Sequence, residues 1–507
     1  MINPGTPQTG SVVAIAKWLL LAFSFMLLCS ASSAQPVAFG ISQQVQQGPT
    51  SPVIAAEDIL AQISSGEPLN YDNVTITGQL DLTKLSGPVK QSVKITNSRF
   101  LGPMNFNAIS FDGALDLRGS VFQENASFAK SSFLGDVSLS GAKFRGQADF
   151  QNSHFGGQAT FISALFLNDT SFGNAQFDGD AVFLNSGFAR DVDYNFAQFF
   201  RIGSFGDTIF ENVSFLETQF DGHTSFLDTK FLGNATFAAT SFASDVVFRD
   251  AEFLRGSTFG LSSFGGLADF AGVDFKETAY FGGVKFADLA YFVSARFDKD
   301  LILEESRLYS MQLDNVTFLE GSTINLNNAD FTKFVVHWAI IKDRLEYNGA
   351  AYLALVRNYK SLEWFDDADE CYYQYRRIGQ NEEPWGWSKL SDIISWLSCG
   401  YGVRVSYTVF WCIFTILFFG MVFWAGNGMR RFEQIGLEIP SSAEAIQKQR
   451  VSLVDALYFS VAMFTTSQAP VNNYPVGVYR HLAMFEGILG WFFLGLFVVV
   501  LSGVLIR

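Results

Sequence analysis

The chain has 507 residues, a formal net charge of −15 and a pI near 4.8. This acidic balance argues against binding to nucleic-acid backbones, which requires a basic surface. The four cysteines, at positions 29, 371, 399 and 412, lack the spacing of a metal site, and the four histidines are scattered. No nucleophile, base and orienting group recur at a usable spacing. We therefore expect no enzyme, no metal site, no cofactor and no nucleic-acid partner.

The start of the chain has the pattern of an export signal. Lys17 precedes an apolar run from Trp18 to Leu28, and Ala31 to Gln35 read Ala-Ser-Ser-Ala-Gln. This pattern predicts a signal peptide over residues 1–34, cleaved after Ala34. The alternative is an uncleaved membrane anchor. In both cases the region that follows is expected outside the cytoplasm.

Residues 35–88 are interpreted as an N-terminal capping helix and the lead-in to a repeat domain. The segment from Ala55 to Ile63 predicts a short helix that Gly66 closes. From Val74 to Leu82, apolar and polar residues alternate as in a first strand-containing coil. A repeat domain needs such a cap because an open end exposes unpaired strand edges.

Residues 89–331 carry a ladder of phenylalanines whose spacing alternates between six and five residues. A small residue stands two positions before almost every rung, so both side chains point to the same side of an extended chain. The Gly-, Ser-, Thr- and Asn-rich filling disfavours a long helix of the same eleven-residue period. Four such faces predict a coil of 22 residues in which the rungs stack in columns, for example Phe150, Phe172 and Tyr194, or Phe220, Phe242, Phe264 and Phe286.

Glycine recurs two residues after alternate rungs of this ladder. The extra residue of each six-residue unit lies there, and a tight corner is expected. Because glycine adopts positive φ without steric cost, the pattern predicts left-handed backbone at these positions: Gly146, Gly157, Gly179, Gly222, Gly233 and Gly266.

The ladder resembles the pentapeptide-repeat family over about half of the chain. The resemblance implies a right-handed quadrilateral β-helix, a solenoid of short strands. The usual coil of that family is two residues shorter, so the 22-residue coil predicts a corner bulge twice per coil.

Residues 332–400 are interpreted as a helical connector and an interfacial helix. Apolar spacing of three and four residues predicts helices from Val335 to Tyr347 and from Ala350 to Trp364, and a third from Asp366 to Arg377. They are expected to cover the far end of the solenoid. Tryptophans around the amphipathic segment Ser388–Leu397 predict a helix at a membrane surface. Cys371 and Cys399 either pair as a disulfide or stay free.

Residues 401–507 are interpreted as a two-span pore domain. Apolar runs from Val405 to Trp424 and from Leu482 to Ile506 are long enough to cross a bilayer. Between them, the segment from Ser452 to Pro475 contains an apolar stretch that is too short to span a bilayer. Ser452 and Asp455 are residues that favour the start of a helix there. A short apolar helix followed by extended polar chain is typical of a re-entrant pore loop.

This span, loop and span resemble the two-helix pore module of potassium channels, in the subgroup that carries pentapeptide repeats upstream. The stretch Cys399–Arg404, Cys-Gly-Tyr-Gly-Val-Arg, resembles that subgroup as well. The potassium filter is degenerate, because both of its glycines are absent and Pro470 occupies the second position. The resemblance implies that the filter-equivalent residues are Thr465, Thr466, Ser467, Gln468, Ala469 and Pro470.

The final span contains three candidate residues. The carboxyl of Glu486 either faces the vestibule, where it would attract cations, or packs as a hydrogen-bonded group behind the pore helix. Gly487 and Gly490 either permit bending of the helix or allow close packing.

The predicted protein is a multi-pass membrane protein of the cell membrane, the inner membrane in a Gram-negative cell, with the repeat domain outside the cytoplasm. Basic residues between the spans agree with this orientation. We expect a homotetramer that conducts monovalent cations with low or altered selectivity and contacts membrane lipid. The repeat domain would bind an unknown protein ligand. The alternative is a non-conducting scaffold that uses the pore module for oligomerisation.

Overall fold

The computed structural model describes residues 51–431, 451–470 and 473–505. The predicted signal peptide and most of the loop between the two spans lie outside these ranges. The described chain forms a parallel β-solenoid of about 13 turns with coils of about 22 residues, followed by helices. The predicted solenoid and its coil length are therefore confirmed.

The strands of the solenoid up to residue 279, together with residues 294–298, form four columns, A to D, that the chain visits in turn. Column A comprises Val53–Ala55, Thr75–Thr77, Arg99–Phe100, Val121–Phe122, Lys143–Phe144, Leu165–Phe166, Gly187–Phe188, Ile209–Phe210, Lys230–Phe231, Glu252–Phe253, Asp274–Phe275 and Arg296–Phe297. Column B comprises Leu80–Asp81, Met104–Asn105, Ala126–Ser127, Ala148–Asp149, Thr170–Ser171, Val192–Asp193, Val213–Ser214, Ala235–Thr236 and Ser257–Thr258.

The other two columns complete each coil. Column C comprises Ser110–Phe111, Ser132–Phe133, His154–Phe155, Gln176–Phe177, Gln198–Phe199, Gln219–Phe220, Ser241–Phe242 and Ser263–Phe264. Column D comprises Leu69–Asp72, Val93–Thr96, Leu115–Asp116, Val137–Ser138, Ala159–Thr160, Ala181–Val182, Gly203–Ser204, Thr224–Ser225, Val246–Val247 and Ala268–Asp269. Within a column, neighbouring strands are parallel and in register, as in the pairing of Phe122 with Phe144.

The core of the solenoid is a set of stacked aromatic rings. The centroids of Phe150 and Phe172 lie 4.7 Å apart with ring planes 2° from parallel, and Tyr194 continues the stack at 4.8 Å from Phe172. Phe220 and Phe242 stack at 5.1 Å. Each aromatic ring buries about 150–250 Å² of surface, so these stacks supply most of the apolar burial of the domain. The predicted columns of rungs are confirmed for these pairs.

The corners differ from the prediction. After most strands of columns B and D comes a rung, and positive φ occurs two residues after that rung. The residue there is mostly not glycine, as at Asn174 (φ 56°) and Ala239 (φ 54°), although Gly119 and Gly272 also have positive φ. The six predicted glycines are absent from the positive-φ positions. Glycine is required at these positions because the backbone of the neighbouring coil lies too close for a side chain. For example, a Cβ added at Gly179 would lie 2.3 Å from the carbonyl oxygen of Gly157, one coil away. The prediction of left-handed backbone at these six glycines is therefore wrong.

Buried hydroxyls stabilise the corners that have positive φ. The residue after the left-handed position is often Ser or Thr, and its hydroxyl donates to the carbonyl oxygen of the rung one coil earlier. Thr229 Oγ1 donates to Phe205 at 2.8 Å, and Thr240 Oγ1 donates to Phe215 at 2.7 Å. These bonds satisfy carbonyl groups that face the dry interior, where an unpaired one is costly.

The N-terminal end is capped as predicted. Helix α1, Ala56–Ser65, ends at Gly66, whose φ of 80° closes the helix in the left-handed conformation. Ile59 and Ile63 are buried, and the helix contacts the strands Val53–Ala55, Leu69–Asp72 and Leu80–Asp81. A short 3-10 helix follows at Leu82–Lys84.

Residues 280–293 and 299–505 form a second compact unit that contains the last coils and all the later helices. Its strands are Lys285–Tyr291, Leu301–Ile302, Arg307–Gln312, Thr317–Phe318, Ile324–Asn325 and Asp330–Val335, with Ala279–Tyr280 at the boundary. Lys285–Tyr291, Arg307–Gln312 and Asp330–Val335 are parallel and longer than the strands of the earlier coils.

The connector contains α2 (Trp338–Ile341), α3 (Gly349–Ser361) and α4 (Phe365–Glu382). The predicted helix from Val335 to Tyr347 is therefore wrong in most of its length. Phe334, Val336 and Trp338 are all buried at a spacing of two, which is the period of an extended chain rather than a helix.

Helix α3 covers the last solenoid strand. The side-chain amide of Asn358 is buried and pairs with both backbone groups of Phe334. Asn358 Oδ1 accepts from the Phe334 amide at 2.9 Å, and Asn358 Nδ2 donates to its carbonyl at 2.8 Å. One asparagine thus satisfies the two backbone groups of Phe334 with which a further strand would otherwise pair. The prediction that the connector covers this end of the solenoid is confirmed.

The C-terminal part contains α5 (Trp387–Cys399), a 3-10 turn (Gly400–Gly402), α6 (Val405–Ala425), α7 (Leu453–Thr466) and α8 (Tyr479–Leu505). Both α6 and α8 are long and apolar enough to cross a membrane, and α7 is a shorter apolar helix. Helices therefore occur at the positions of both predicted spans, and a short helix lies between them in the sequence. Cys371 and Cys399 are free thiols, so the disulfide alternative does not occur in the structure.

Candidate pore-loop site

Helix α7 begins at a capping interaction that the sequence predicts. The hydroxyl oxygen of Ser452 accepts from the backbone amide of Asp455 at 3.1 Å, and the same hydroxyl donates to the Asp455 carboxylate at 2.9 Å. An acidic residue in the first turn also suits the positive end of the helix dipole. The chain therefore turns from a polar loop into an apolar helix at a defined residue.

Helix α7 packs between α6 and α8. The buried contact involves Phe419 and Phe423 from α6, Ala456, Phe459 and Met463 from α7, and Ala483 from α8. The rings of Phe423 and Phe459 meet edge to face at 5.2 Å, an arrangement that aromatic pairs favour. One short helix is thus held on two sides by helices of span length.

Three glycines allow the helices to approach closely. A Cβ added at Gly490 would lie 2.0 Å from the carbonyl oxygen of Phe464, and one at Gly420 would lie 2.6 Å from Leu457 Cδ2. A Cβ at Gly487 would lie 2.9 Å from Ser467 Oγ. These distances are shorter than van der Waals contact. Gly487 and Gly490 therefore lie where α8 packs against α7, which is the packing role that small residues have between membrane helices.

The filter-equivalent segment begins inside α7. Thr465 Oγ1 donates to the carbonyl of Val461 and Thr466 Oγ1 donates to that of Ala462, each at 2.7 Å. Ser467 follows with a left-handed φ of 55° and ends the helix. Residues 465–469 are exposed and Pro470 is half-buried. This segment therefore presents hydroxyl and amide groups at the surface of the described chain.

Glu486 lies behind α7 and is completely buried. Its Oε1 is hydrogen-bonded to the hydroxyl of Ser460 on α7, and Ser460 Oγ is also 2.8 Å from the carbonyl oxygen of Ile416 on α6. Glu486 Oε2 has no hydrogen-bond partner among the described residues. The structure places the carboxyl at the junction of three helices.

A two-stranded antiparallel sheet joins the segment after α6 to the segment before α8, and sequence reasoning missed it. Met429–Arg431 pairs with Asn473–Pro475, although the first segment follows the first apolar run and no strand is predicted there. Gly426 and Gly428 both lie against the side chain of Tyr479. A Cβ added at Gly426 would lie 2.0 Å from the Tyr479 hydroxyl oxygen, and one added at Gly428 would lie 2.4 Å from Tyr479 Cγ. The dipeptide Asn427-Gly428, a common turn signal, is the one local feature that could have indicated it.

Helix α5 is attached to α6 by two side chains. Trp411 Nε1 donates to the carbonyl of Leu397 at 2.7 Å, and Thr408 Oγ1 donates to that of Ser398 at 3.2 Å. These bonds use the last carbonyls of α5, which have no partner within the helix. The direction of α5 is thus fixed by the start of the first apolar helix.

Arginines of α4 hold the other side of α5. Arg376 forms a salt bridge with Asp392, and the guanidinium of Arg377 lies 3.9 Å from the ring centroid of Trp396, a cation–π distance. Tyr401 donates to Asp392 at 3.2 Å. Burial, with Asp392 adding to it, raises the pKa of Tyr401 to about 12, so this phenol remains a donor at neutral pH.

One comparison with known proteins is positive. The family model for pentapeptide repeats (9 copies) matches residues 95–143, 139–187 and 259–307. All three ranges lie in the solenoid, so the match supports the repeat part of the chain. No curated protein and no solved structure matches the chain significantly.

Proposed function

We propose that this protein is a tetrameric, channel-like membrane protein with a re-entrant pore loop and no catalytic activity. The observation that carries the proposal is the packing of α7. A fourteen-residue apolar helix is too short to cross a bilayer, yet it is held between two helices that are long enough. It ends in exposed hydroxyl and amide groups, and irregular backbone at membrane depth is tolerated only where it lines water or is enclosed by protein.

Four copies of the loop would place a ring of Thr465, Thr466, Ser467 and Gln468 side chains around a central path. Hydroxyl and amide groups have weaker and less uniform fields than stacked backbone carbonyls. Hydrated monovalent cations of several sizes would pass. This composition supports a channel with low or altered selectivity rather than a potassium channel.

Membrane association is supported by α5 as well as by the two apolar helices. Trp387, Leu390, Ile394 and Leu397 are exposed, and their spacing of three and four residues places them on one face of the helix. Trp387 is 87% exposed, an unusual exposure for tryptophan unless lipid or a partner covers it. Helix α5 would lie in the membrane surface and contact lipid headgroups.

The solenoid would be a right-handed, four-sided rod carried outside the cytoplasm. Four columns of strands per coil support the four-sided section. Its surface is polar and acidic and would bind a protein ligand that the sequence does not identify. The export signal predicted for residues 1–34 would carry the solenoid to this side of the membrane.

The second candidate function is a non-conducting scaffold. The absence of filter glycines between Thr465 and Pro470 favours it, because glycine permits the alternating backbone that points successive carbonyls inward. In this case the pore module would serve oligomerisation alone.

A recording from purified protein in a bilayer tests the proposal. Under a salt gradient, the wild type should conduct with little preference for potassium over sodium. Gln468→Lys should block cations or reverse selectivity, because four copies place four positive charges in one ring. Asn381→Lys on the exposed surface of α4 is the matched control and should leave the reversal potential unchanged. Silence of an intact wild-type tetramer would favour the scaffold.

A further inference from the structure

Three helices meet at the hydroxyl of Ser460. Glu486 Oε1 on α8 and the Ile416 carbonyl oxygen on α6 both lie within hydrogen-bond distance of Ser460 Oγ. Ser460 and Glu486 are completely buried. The contact lies one residue before Gly487, which packs on Ser467, and one turn before Gly490, which packs on Phe464.

The two oxygen–oxygen contacts of Ser460 Oγ need two protons, one for each hydrogen bond. A serine hydroxyl has one proton to donate, but two acceptor oxygens lie beside Ser460 Oγ. If the hydroxyl donates to the Ile416 carbonyl, the contact between Ser460 and Glu486 is attractive only when the carboxyl carries a proton and donates it to Ser460. An ionised carboxylate would place two oxygens in contact without a proton between them.

The surroundings do not compensate a negative charge on Glu486. The ionisable side chains on the described parts of the three helices are Tyr407 and Cys412 on α6, Asp455 and Tyr458 on α7, and Tyr479, Arg480 and His481 on α8. None of these forms an ion pair with Glu486 among the described residues, and Oε2 has no partner there. A buried carboxylate without a counter-charge is strongly destabilising.

We propose that Glu486 is a proton-binding positioning residue: its neutral carboxyl attaches α7 to α8, and loss of the proton releases α7. Because Gly487 contacts Ser467, release would reach the first residues of the pore loop directly. This inference rests on the proposed function for its effect on conduction. Its structural part does not, because the bonding of α7 to α8 exists whether or not ions pass.

The experiment uses the full-length protein in detergent or lipid and has two readouts. Infrared spectroscopy at neutral pH should show a protonated-carboxyl stretch that is lost in Glu486→Gln. The thermal unfolding midpoint of the wild type should fall by several degrees as the pH is raised from about 6 to about 10, above the range in which ordinary carboxyls titrate. Relative to the wild type, Glu486→Gln should lack the part of this fall that is due to the carboxyl.

If Glu486→Gln does not assemble, spectra of the wild-type protein and of Ser460→Ala test the inference instead. The carboxyl band of the wild type should disappear at alkaline pH, and in Ser460→Ala it should shift because its acceptor is gone. A wild type without a protonated-carboxyl band at neutral pH would overturn the inference, and so would a band that neither alkaline pH nor Ser460→Ala changes. If the protein shows the expected carboxyl band and pH dependence but does not conduct ions, the channel proposal is refuted and the inference about Glu486 is retained.

Discussion

The ring of Tyr194 stacks on that of Phe172 at 4.8 Å and within 3° of parallel, so a tyrosine occupies a rung that phenylalanine fills elsewhere. Its hydroxyl is buried without a hydrogen-bond partner among the described residues. Burial raises the pKa of Tyr194 far above its ordinary value. The hydroxyl is therefore neutral and unsatisfied inside the aromatic stack.

Tyr194→Phe should stabilise the solenoid by about 1–3 kcal/mol, because it removes an unsatisfied buried polar group and keeps the stacked ring. Denaturant unfolding of the isolated variant protein measures this change. The matched control is Phe172→Tyr, which introduces a hydroxyl one coil away and should destabilise. A loss of stability in Tyr194→Phe would mean that the hydroxyl has a partner in solution.

Phe248→Asp should cost about 4 kcal/mol or more. Phe248 is fully buried and stacks between Phe226 and Phe270 at 4.7 and 4.8 Å, where a carboxylate has no counter-charge or water. Asn234→Asp, on an exposed position, is the control and should be nearly silent. Equal melting temperatures for the two variants would contradict the assignment of inward and outward faces.

Two substitutions distinguish a glycine that is required by the close approach of a neighbouring coil from a position that favours glycine because its φ is positive. Gly179→Ala should be strongly destabilising because its Cβ would overlap the carbonyl of Gly157. Ala239→Gly should stabilise by about 1 kcal/mol, since Ala239 has a φ of 54° and only glycine adopts this region without steric cost. Ala238→Gly, next to it and outside the positive-φ set, should give no gain. Thermal unfolding of the three variants provides the comparison.

Cys371 should resist thiol reagents in the native protein. Its side chain is fully buried, and burial, with Asp367 adding to it, raises the pKa of the thiol far above its ordinary value. The reactive thiolate is therefore scarce at pH values near 8. Mass spectrometry should find Cys371 unmodified by iodoacetamide until denaturant is added. Rapid labelling without denaturant would show that α3 and α4 separate readily.

The orientation can be tested with reporters that are active only outside the cytoplasm. A reporter fused after Arg507 should be active, and one inserted near Glu444, in the loop between the spans, should be inactive. This follows from an exported N terminus and two membrane crossings. The opposite pattern would mean that the N-terminal segment is not a working export signal.

The periodic parts of the fold could be predicted from the sequence because each repeat specifies its own face. The 22-residue coil, the ring stacks and the apolar helices α6, α7 and α8 all follow from local spacing. The corners could not be assigned in the same way. Residue 179 must be glycine because the carbonyl oxygen of Gly157 lies too close for a Cβ, and Thr229 donates to a carbonyl 24 residues earlier. The roles of both residues therefore depend on how the coils stack and not on local backbone preference.

The candidate site was predictable in outline for a similar reason. Ser452 and Asp455 indicate the start of α7 by themselves, and the six filter-equivalent residues begin with Thr465 in its last turn. The pairing of Met429–Arg431 with Asn473–Pro475 joins segments that are far apart in the chain and have no shared pattern. The position of Glu486 relative to Ser460 depends on how α8 rotates against α7, which helical spacing alone does not determine.

Asn358 has a consequence for how this chain can change in length. By filling both hydrogen-bonding positions of Phe334, it denies a second molecule two of the backbone groups needed to extend the sheet into a fibre. Gain or loss of a whole coil in the solenoid upstream would leave this stop and the N-terminal helix unchanged. Duplication in units of one coil is therefore a route by which such a chain could lengthen in evolution without acquiring a tendency to polymerise.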